Sequence, residues 1–271
     1  MRTIEVRRQL TPEAETELIK ARVPTPPSDA LVAPSGTRII DADTGSPVAT
    51  VAPYAGAWPL VAAAARAIEW STLLRANGSR NRARTFGYTY RSVVLRREGC
   101  RGCSIRGAQA RVSRQLDRMA GELWAQLQQV EPERAAELAQ AAAGIGPEWR
   151  MGGSPWSSGV ANESSELDYH RDTANITGAW SAMPVVRDEG TTGGLLHLPA
   201  WGLHLACEDR AVVFFDGRAN VHGVTPIGPG RRISLVCYAT AQMQACEDQA
   251  SELARARRLR TEREQQWGTQ P

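Results

Sequence analysis

The sequence predicts an α+β protein with a mainly β core: two antiparallel sheets in jelly-roll form, with supporting helices packed on one side. Three observations lead there. Between residues 148 and 240, short apolar runs such as Ala-Val-Val-Phe-Phe (211–215) and Ile-Ser-Leu-Val-Cys-Tyr (233–238) are separated by turn clusters rich in Gly, Pro and Asp, the pattern of successive strands. Residues 109–143 instead place Val112, Leu116, Met119, Leu123, Leu127 and Val130 three or four apart, which is one face of a helix. Across the strands runs an ordered set: His170-Arg-Asp172, Gly193-Gly194, a lone His222, then Arg231-Arg232.

Residues 1–36 read as an N-terminal arm or linker. Thr11 is an N-cap, Pro12 takes the first helical position and acids fill the first turn of a short helix. Pro24, Pro26, Pro27 and Pro34 then break regular structure. Residues 37–51 read as a β-hairpin turning at Asp43-Thr-Gly45. Residues 60–74 read as a helix, Ala-rich, with Leu60, Ala64, Ile68 and Leu74 near one face and Asn77-Gly78 ending it. Residues 37–147 together form a hairpin plus a basic and helical region packed on the barrel, and 148–240 form the β core. Pro147-Glu-Trp-Arg-Met begins the barrel, 156–162 feed the site, and 176–186, with Trp180 and Met183, form the strand after Asp172. His197 and His204, on the following hairpin, read as packing or surface residues rather than ligands. Residues 241–271 read as a solvated C-terminal helix, a cover for one barrel face or a dimer contact.

With 271 residues, 42% of them hydrophobic, the chain is long enough to bury a core in one or two domains. Its 32 basic and 29 acidic residues leave a formal charge of +3, too near balance to name a partner. No run approaches the roughly 18 apolar residues that span a bilayer, and the N-terminus lacks the apolar stretch of a signal peptide, so a soluble, cytoplasmic protein is expected. Five Cys are an odd set, which fits free thiols in a reducing compartment. Cys100-Arg-Gly-Cys103 is half a zinc site with no second pair to complete it. Every basic residue except Lys20 is Arg, which fits a GC-rich bacterial or phage genome and supplies forked donors suited to phosphate. The Arg are not spread evenly. In residues 75–118, twelve Arg face only Glu98 and Asp117, with Phe86, Tyr88 and Tyr90 interleaved. That stripe is either the electrostatic footprint of a nucleic-acid binder or a solvated basic surface.

The ordered set is what a metal site of two His and one carboxylate needs. On a strand end, residues i and i+2 point to one face, so His170 and Asp172 reach one ion together. His222 then comes from a distant strand folded back beside the first. Three ligands on one face of an octahedral Fe(II) leave the opposite positions open for O2 and a cosubstrate. Arg232, ten residues after His222 on an apolar strand, can grip a carboxylate with a bidentate fork. The alternative is a metal-free jelly roll with incidental His.

In these residues the chain resembles the 2-oxoglutarate- and Fe(II)-dependent oxygenases, and within them the TET/JBP group that oxidises methyl groups of DNA pyrimidines. Three stretches carry the resemblance: His170-Arg171-Asp172-Thr-Ala-Asn175, His222-Gly-Val-Thr225-Pro226, and Arg232-Ile-Ser234-Leu-Val-Cys-Tyr238. It implies a double-stranded β-helix (cupin-like) fold, with His170, Asp172 and His222 as iron ligands. Arg232 with Ser234 would hold the distal carboxylate of 2-oxoglutarate. Asn175 would hydrogen-bond the target base, and Tyr238 would stack on it or bond to it. A short Val-Leu-Arg96-Arg97 segment resembles one in which one Arg helps bind 2-oxoglutarate and its neighbour meets the DNA backbone; this implies Arg96 and Arg97 in those roles. Cytosine-directed animal members have His where this chain has Thr240. The implied activity converts 5-methylcytosine in DNA to 5-hydroxymethylcytosine, with Fe(II), 2-oxoglutarate and O2. Methylated DNA with a flipped base is the implied partner, and the protein is expected to be a nucleoid-associated monomer. Thymine hydroxylation on DNA, a small-molecule or protein hydroxylase, and an idle DNA-binding jelly roll are the rival readings.

Overall fold

The structure is a computed structural model and describes residues 1–74, 80–93 and 97–268. In chain order the strands are β1 (Arg2–Val6), β2 (Leu31–Ala33), β3 (Thr37–Asp41), β4 (Pro47–Pro53), β5 (Ser71–Leu74), β6 (Arg80–Thr89), β7 (Arg101–Gly102), β8 (Ser158–Glu163), β9 (Ser181–Arg187), β10 (Leu196–Leu198), β11 (Leu203–Leu205), β12 (Ala211–Phe215), β13 (Gly223–Val224) and β14 (Arg232–Tyr238). The helices are α1 (Pro12–Glu17), α2 (Trp58–Arg66), α3 (Ser104–Ala108), α4 (Ala110–Val130), α5 (Pro132–Ala141) and α6 (Gln249–Gly268). One large sheet runs β1-β3-β4-β12-β9-β14-β8-β6-β5, with β7 beside β6, and a small sheet runs β13-β10-β11-β2. This is the mainly β α+β architecture that the sequence predicts, with the jelly-roll core at its centre.

Strand β12 shows how the layers are made. Alternate side chains point to opposite faces. Val213 and Phe215 pack with Val185, Leu198 and Leu205 between the two sheets. Val212 and Phe214 face the other way, onto Leu116, Met119, Leu123 and Leu127 of α4 and Leu138 of α5. Both faces are covered, which is why β12 reads as an uninterrupted apolar run rather than an alternating one. Each such side chain contributes about 1.5–3 kcal/mol by its burial.

The predicted helical stretch 109–143 is two helices. Pro132 cannot continue α4, and it opens α5 instead. Glu131, at the junction, is buried; Arg38 holds it bidentately at 2.7 and 2.9 Å and Thr50 donates to it at 2.6 Å. That carboxylate pins the helical layer to the β3–β4 hairpin.

Four expectations are corrected. The residues read as an arm or linker are woven into both sheets: β1 runs parallel to β3, β2 runs parallel to β11, and α1 lies between them in sequence. Proline breaks long elements but permits short ones. The helix expected over 60–74 stops at Arg66, and Ser71–Leu74 is a strand paired with β6, so pairing overrides the helical propensity of Leu73 and Leu74. The proposed stop at Asn77-Gly78 lies outside the described residues. The strand after Asp172 starts at Ser181 rather than Ile176, because Gly178 adopts a left-handed φ of +75° and makes a turn there. Cys100 is not a free thiol: it is disulfide-bonded to Cys246, 146 residues away, too distant for spacing to reveal. Cys103, Cys207 and Cys237 are free and buried. The disulfide and Glu252, which accepts from Cys100 N at 2.9 Å, tie α6 to the loop that carries Arg97. No helix of the described residues is long and apolar enough to cross a membrane.

Candidate metal centre and substrate pocket

His170 and His222 face each other across an isolated antiparallel bridge, their backbones exchanging two hydrogen bonds of 2.9 Å. The bridge brings the rings to 4.3 Å between centroids. Asp172 N donates to Gly217 O at 2.9 Å, which sets the carboxylate between the rings. Each carboxylate oxygen then lies 3.7 Å from one imidazole Nε2. The donor atoms of all three residues fall within 4.8 Å of one another. Each Nδ1 is committed to a backbone carbonyl: His170 to Asp168 O at 2.8 Å and His222 to Asn220 O at 3.0 Å. A neutral imidazole that donates from Nδ1 carries its lone pair on Nε2, the tautomer that binds metal. Burial, only partly offset by Asp172, pushes His222 down to about 4, so it is neutral at ordinary pH. The donor set therefore fits a divalent cation that accepts nitrogen and oxygen.

Room for the carboxylate comes from Gly217. A Cβ there would lie 2.4 Å from Asp172 Oδ2. The sequence signalled only a turn at Asp216-Gly217; its second role is visible only in the fold.

The three residues open onto a pocket of about 320 Å³. Ser234, Val236 and Tyr238 line it from one face of β14, and Asn175, Met183 and Phe215 line it from neighbouring elements. Arg232 begins the same strand face but is not part of the lining. It is only 1% exposed, and its Nε and Nη2 have no hydrogen-bond partner among the described residues. Gly194 leaves space for its stem, since a Cβ there would lie 2.8 Å from Arg232 Cδ. Arg187 sits beside it, donating to the carbonyls of Thr191, Gly193 and Cys207. Burial and then the neighbouring Arg232 lower the Arg187 pKa. Two adjacent guanidinium groups, one with unpartnered buried N–H groups, make a place for an anion. No feature of the sequence singled out Arg187.

Asn175 is buried and its Nδ2 donates to Ser181 Oγ at 3.2 Å. Its loop is braced by Arg218, which donates to the carbonyls of Thr173 and Asn175. Tyr238 keeps its phenol protonated, because burial raises its pKa. Thr240 is turned away from the pocket and donates to Ser158 Oγ at 2.9 Å. Arg97 lies over the Tyr90 ring at 4.9 Å and not in the pocket lining. Arg96 lies outside the described residues.

The basic stripe is more neutral than its sequence suggests. Arg82 pairs with Glu163 at 2.7 Å, Arg91 with Glu252 at 2.9 Å, Arg106 with Asp117 at 2.5 Å and Arg118 with Glu122 at 2.8 Å. Three of those carboxylates come from outside the stripe, so a local charge count could not include them.

His197 and His204 stack at 4.1 Å, nearly parallel, away from the metal ligands. The Tyr169 hydroxyl and His197 Nδ1 share a hydrogen bond of 2.5 Å. Burial, and then the neighbouring His204, push His197 down to about 4. A His whose folded pKa lies below its unfolded value stabilises the fold only while it is neutral. Stability is therefore expected to fall as pH drops from about 6.5 towards about 4. Melting curves across that window should show the loss in wild type and a smaller loss in His197→Gln; parallel curves would remove the assignment.

Residues 87–241 match the family model Tet_JBP, described as the oxygenase domain of the 2OGFeDO superfamily. Among solved structures, NgTET1 in complex with 5mC DNA is similar in fold, with a TM-score of 0.57 at 17% identity over 84% of this chain and 90% of that one. A 2OG-Fe(II) oxygenase-family oxidoreductase from Burkholderia pseudomallei aligns at a TM-score of 0.38 and 13% identity over 71% of this chain and 88% of that one. No curated protein matches the chain.

Proposed function

The chain belongs to the TET/JBP type of 2-oxoglutarate- and Fe(II)-dependent oxygenases, and from that premise we propose that it hydroxylates the methyl group of 5-methylcytosine in DNA, giving 5-hydroxymethylcytosine. In the superfamily reaction, Fe(II) and 2-oxoglutarate activate O2; one oxygen atom enters the C–H bond, the other enters succinate, and CO2 leaves. This chain's residues would hold and aim the parts. His170, Asp172 and His222 would hold the iron. Arg232, with the Ser234 hydroxyl beside it on the strand face, would hold the far carboxylate of 2-oxoglutarate.

The observation that carries the base assignment is the orientation of Asn175. One of its two amide N–H groups donates to Ser181, which orients the amide and leaves its carbonyl oxygen available to accept from a base. Cytosine presents an exocyclic amine donor; thymine presents a carbonyl at that place. A carbonyl facing an amine is a bond, and a carbonyl facing a carbonyl leaves two buried acceptors unpaired, costing about 1–3 kcal/mol each. The target methyl must leave the base stack to reach the pocket, so a flipped nucleotide is the expected substrate form. Tyr238 supplies a ring for stacking and a protonated hydroxyl for donation. The fold likeness to NgTET1, whose structure contains 5mC DNA, supports the same reading. Within the stripe, Arg84, Arg97, Arg101, Arg111 and Arg114 have no carboxylate of the described residues within ion-pair reach and are the residues to expect on phosphates.

Duplexes differing only in 5-methylcytosine versus thymine, incubated with Fe(II), ascorbate and 2-oxoglutarate, are read by nucleoside mass spectrometry. Wild type should oxidise 5-methylcytosine at least about tenfold faster, the ratio that one mispaired polar group gives. Asn175→Ala should lose most of that turnover while slow oxoglutarate consumption without DNA product persists. Equal rates on the two bases, or faster thymine oxidation, overturn the cytosine assignment; no DNA product at all points to a small-molecule or protein substrate.

A further inference from the structure

We propose that the N-terminal segment is a positioning strap of the metal centre, with Glu15 as the residue through which it acts. The inference rests on the reading of His170, Asp172 and His222 as metal ligands. Glu15 belongs to α1, far from the ligands in sequence and outside the stretch 87–241 that matches the family. It is fully buried. Its Oε1 accepts from Val221 N at 2.7 Å, and its Oε2 accepts from Arg171 Nη2 at 3.0 Å and from Arg8. Val221 precedes His222, and Arg171 lies between His170 and Asp172. One carboxylate thus spans both ligand segments, one residue from all three donors.

The rest of the segment repeats the attachment. Lys20 N donates to Tyr169 O at 2.8 Å, and Tyr169 N donates to Ala21 O at 2.9 Å. Val23 packs with Tyr169 and Val221, and Leu18 and Ile19 pack against that cluster. The approach is so close that a Cβ on Gly223, the residue after His222, would lie 2.4 Å from Val23 Cγ2. Arg171 Nη1 donates to Ala219 O, which draws the 218–222 turn onto the same anchor.

The bridge between His170 and His222 lies outside the regular strands, at the start of β13, with Val224 N donating to Leu167 O at 2.9 Å beside it. The backbone bonds between the two ligand segments are few, and ligand geometry must be held closely for a metal to bind tightly. The strap adds side-chain bonds from one carboxylate to both ligand segments. Its action is indirect: Glu15 touches neither metal nor substrate, and it is a positioning residue.

Co(II), which resembles Fe(II) in size and preference but is stable in air, reads the site directly. Wild-type full-length chain should take up one equivalent, followed by calorimetry and by the visible absorption of the bound ion. Glu15→Gln keeps an acceptor for Val221 N and loses the charge that holds Arg171; Glu15→Ala loses both. Outer-shell partners of metal ligands are typically worth about 10–100-fold in affinity, so Glu15→Ala should bind Co(II) at least about tenfold more weakly, with Glu15→Gln between it and wild type and an altered absorption band in both. Melting temperatures of the metal-free proteins separate this from general loosening: a lower melting temperature with unchanged Co(II) affinity and band overturns the strap. Thr11→Ala removes the α1 cap bond to Ala14 N without touching Glu15. It should weaken Co(II) binding a few-fold, and if the Glu15 variants do not fold, unchanged Co(II) binding in Thr11→Ala overturns the proposal. A wild-type chain that binds no Co(II) removes the metal centre itself, and the strap with it; equal binding by wild type and the variants removes the strap alone.

Discussion

An Asp172→Ala protein is expected to fold normally and to lose turnover entirely. Asp172 is the only anionic member of the proposed ligand set, and its two oxygens each lie 3.7 Å from one imidazole. Removing it leaves two neutral donors and no charge to offset a divalent cation. Outer-shell changes at metal sites cost about 10–100-fold, so losing an inner ligand should exceed that range. The fold should survive, because the bond that places the segment is made by the backbone, Asp172 N to Gly217 O, and an Ala keeps it. Methyl oxidation on DNA and Co(II) uptake should vanish together while the metal-free melting temperature holds within a few degrees. Gly217→Ala tests the same geometry with the carboxylate intact: the added Cβ would lie 2.4 Å from Oδ2 and must displace it. An active Asp172→Ala protein rules out this site.

What made the ligand residues legible is locality. His170 and Asp172 are two apart, and a strand end turns that spacing into one face without knowledge of the rest of the chain. Arg232 stood out as an Arg on an apolar strand ten residues after His222, whereas Ser234 and Tyr238 entered only through the family resemblance; the fold places all three on one face of β14. What the sequence hides is long-range. Glu15 meets its partners 156 and 206 residues away, and nothing in Thr-Pro-Glu-Ala-Glu marks the second acid over the first. Cys100 pairs with Cys246 rather than with nearby Cys103. The Arg stripe looked bare because Glu163, Glu252 and Glu122, which neutralise part of it, lie outside the counted window. The helix read through Leu74 failed on the same ground: its last residues follow a partner strand, β6, and not their own propensity.

Replacing Arg232 by Met should weaken 2-oxoglutarate binding about 10–100-fold without destabilising the metal-free protein. The side chain is 1% exposed, and two of its nitrogens lack partners among the described residues. A buried guanidinium with open donors is costly by itself, and Arg187 beside it adds like-charge repulsion. A dicarboxylate that reaches this end of the β14 face would satisfy both. Charge-assisted hydrogen bonds of this kind contribute about 1.5–3 kcal/mol, which is the stated change in affinity. Met keeps most of the stem that packs against Gly194 and removes the charge, so the metal-free variant should melt at or above the wild-type temperature. The ligand effect should move oppositely. At a concentration of 100 times its dissociation constant, 2-oxoglutarate stabilises wild type by about 2.7 kcal/mol, and the same concentration should stabilise Arg232→Met far less. Calorimetric titration and the oxoglutarate dependence of turnover read the affinity; melting with and without 2-oxoglutarate reads the linkage. Unchanged oxoglutarate affinity in Arg232→Met would move the anchor elsewhere. Arg231 is already committed to Glu163 at 2.5 Å, so the result would turn attention to Arg96.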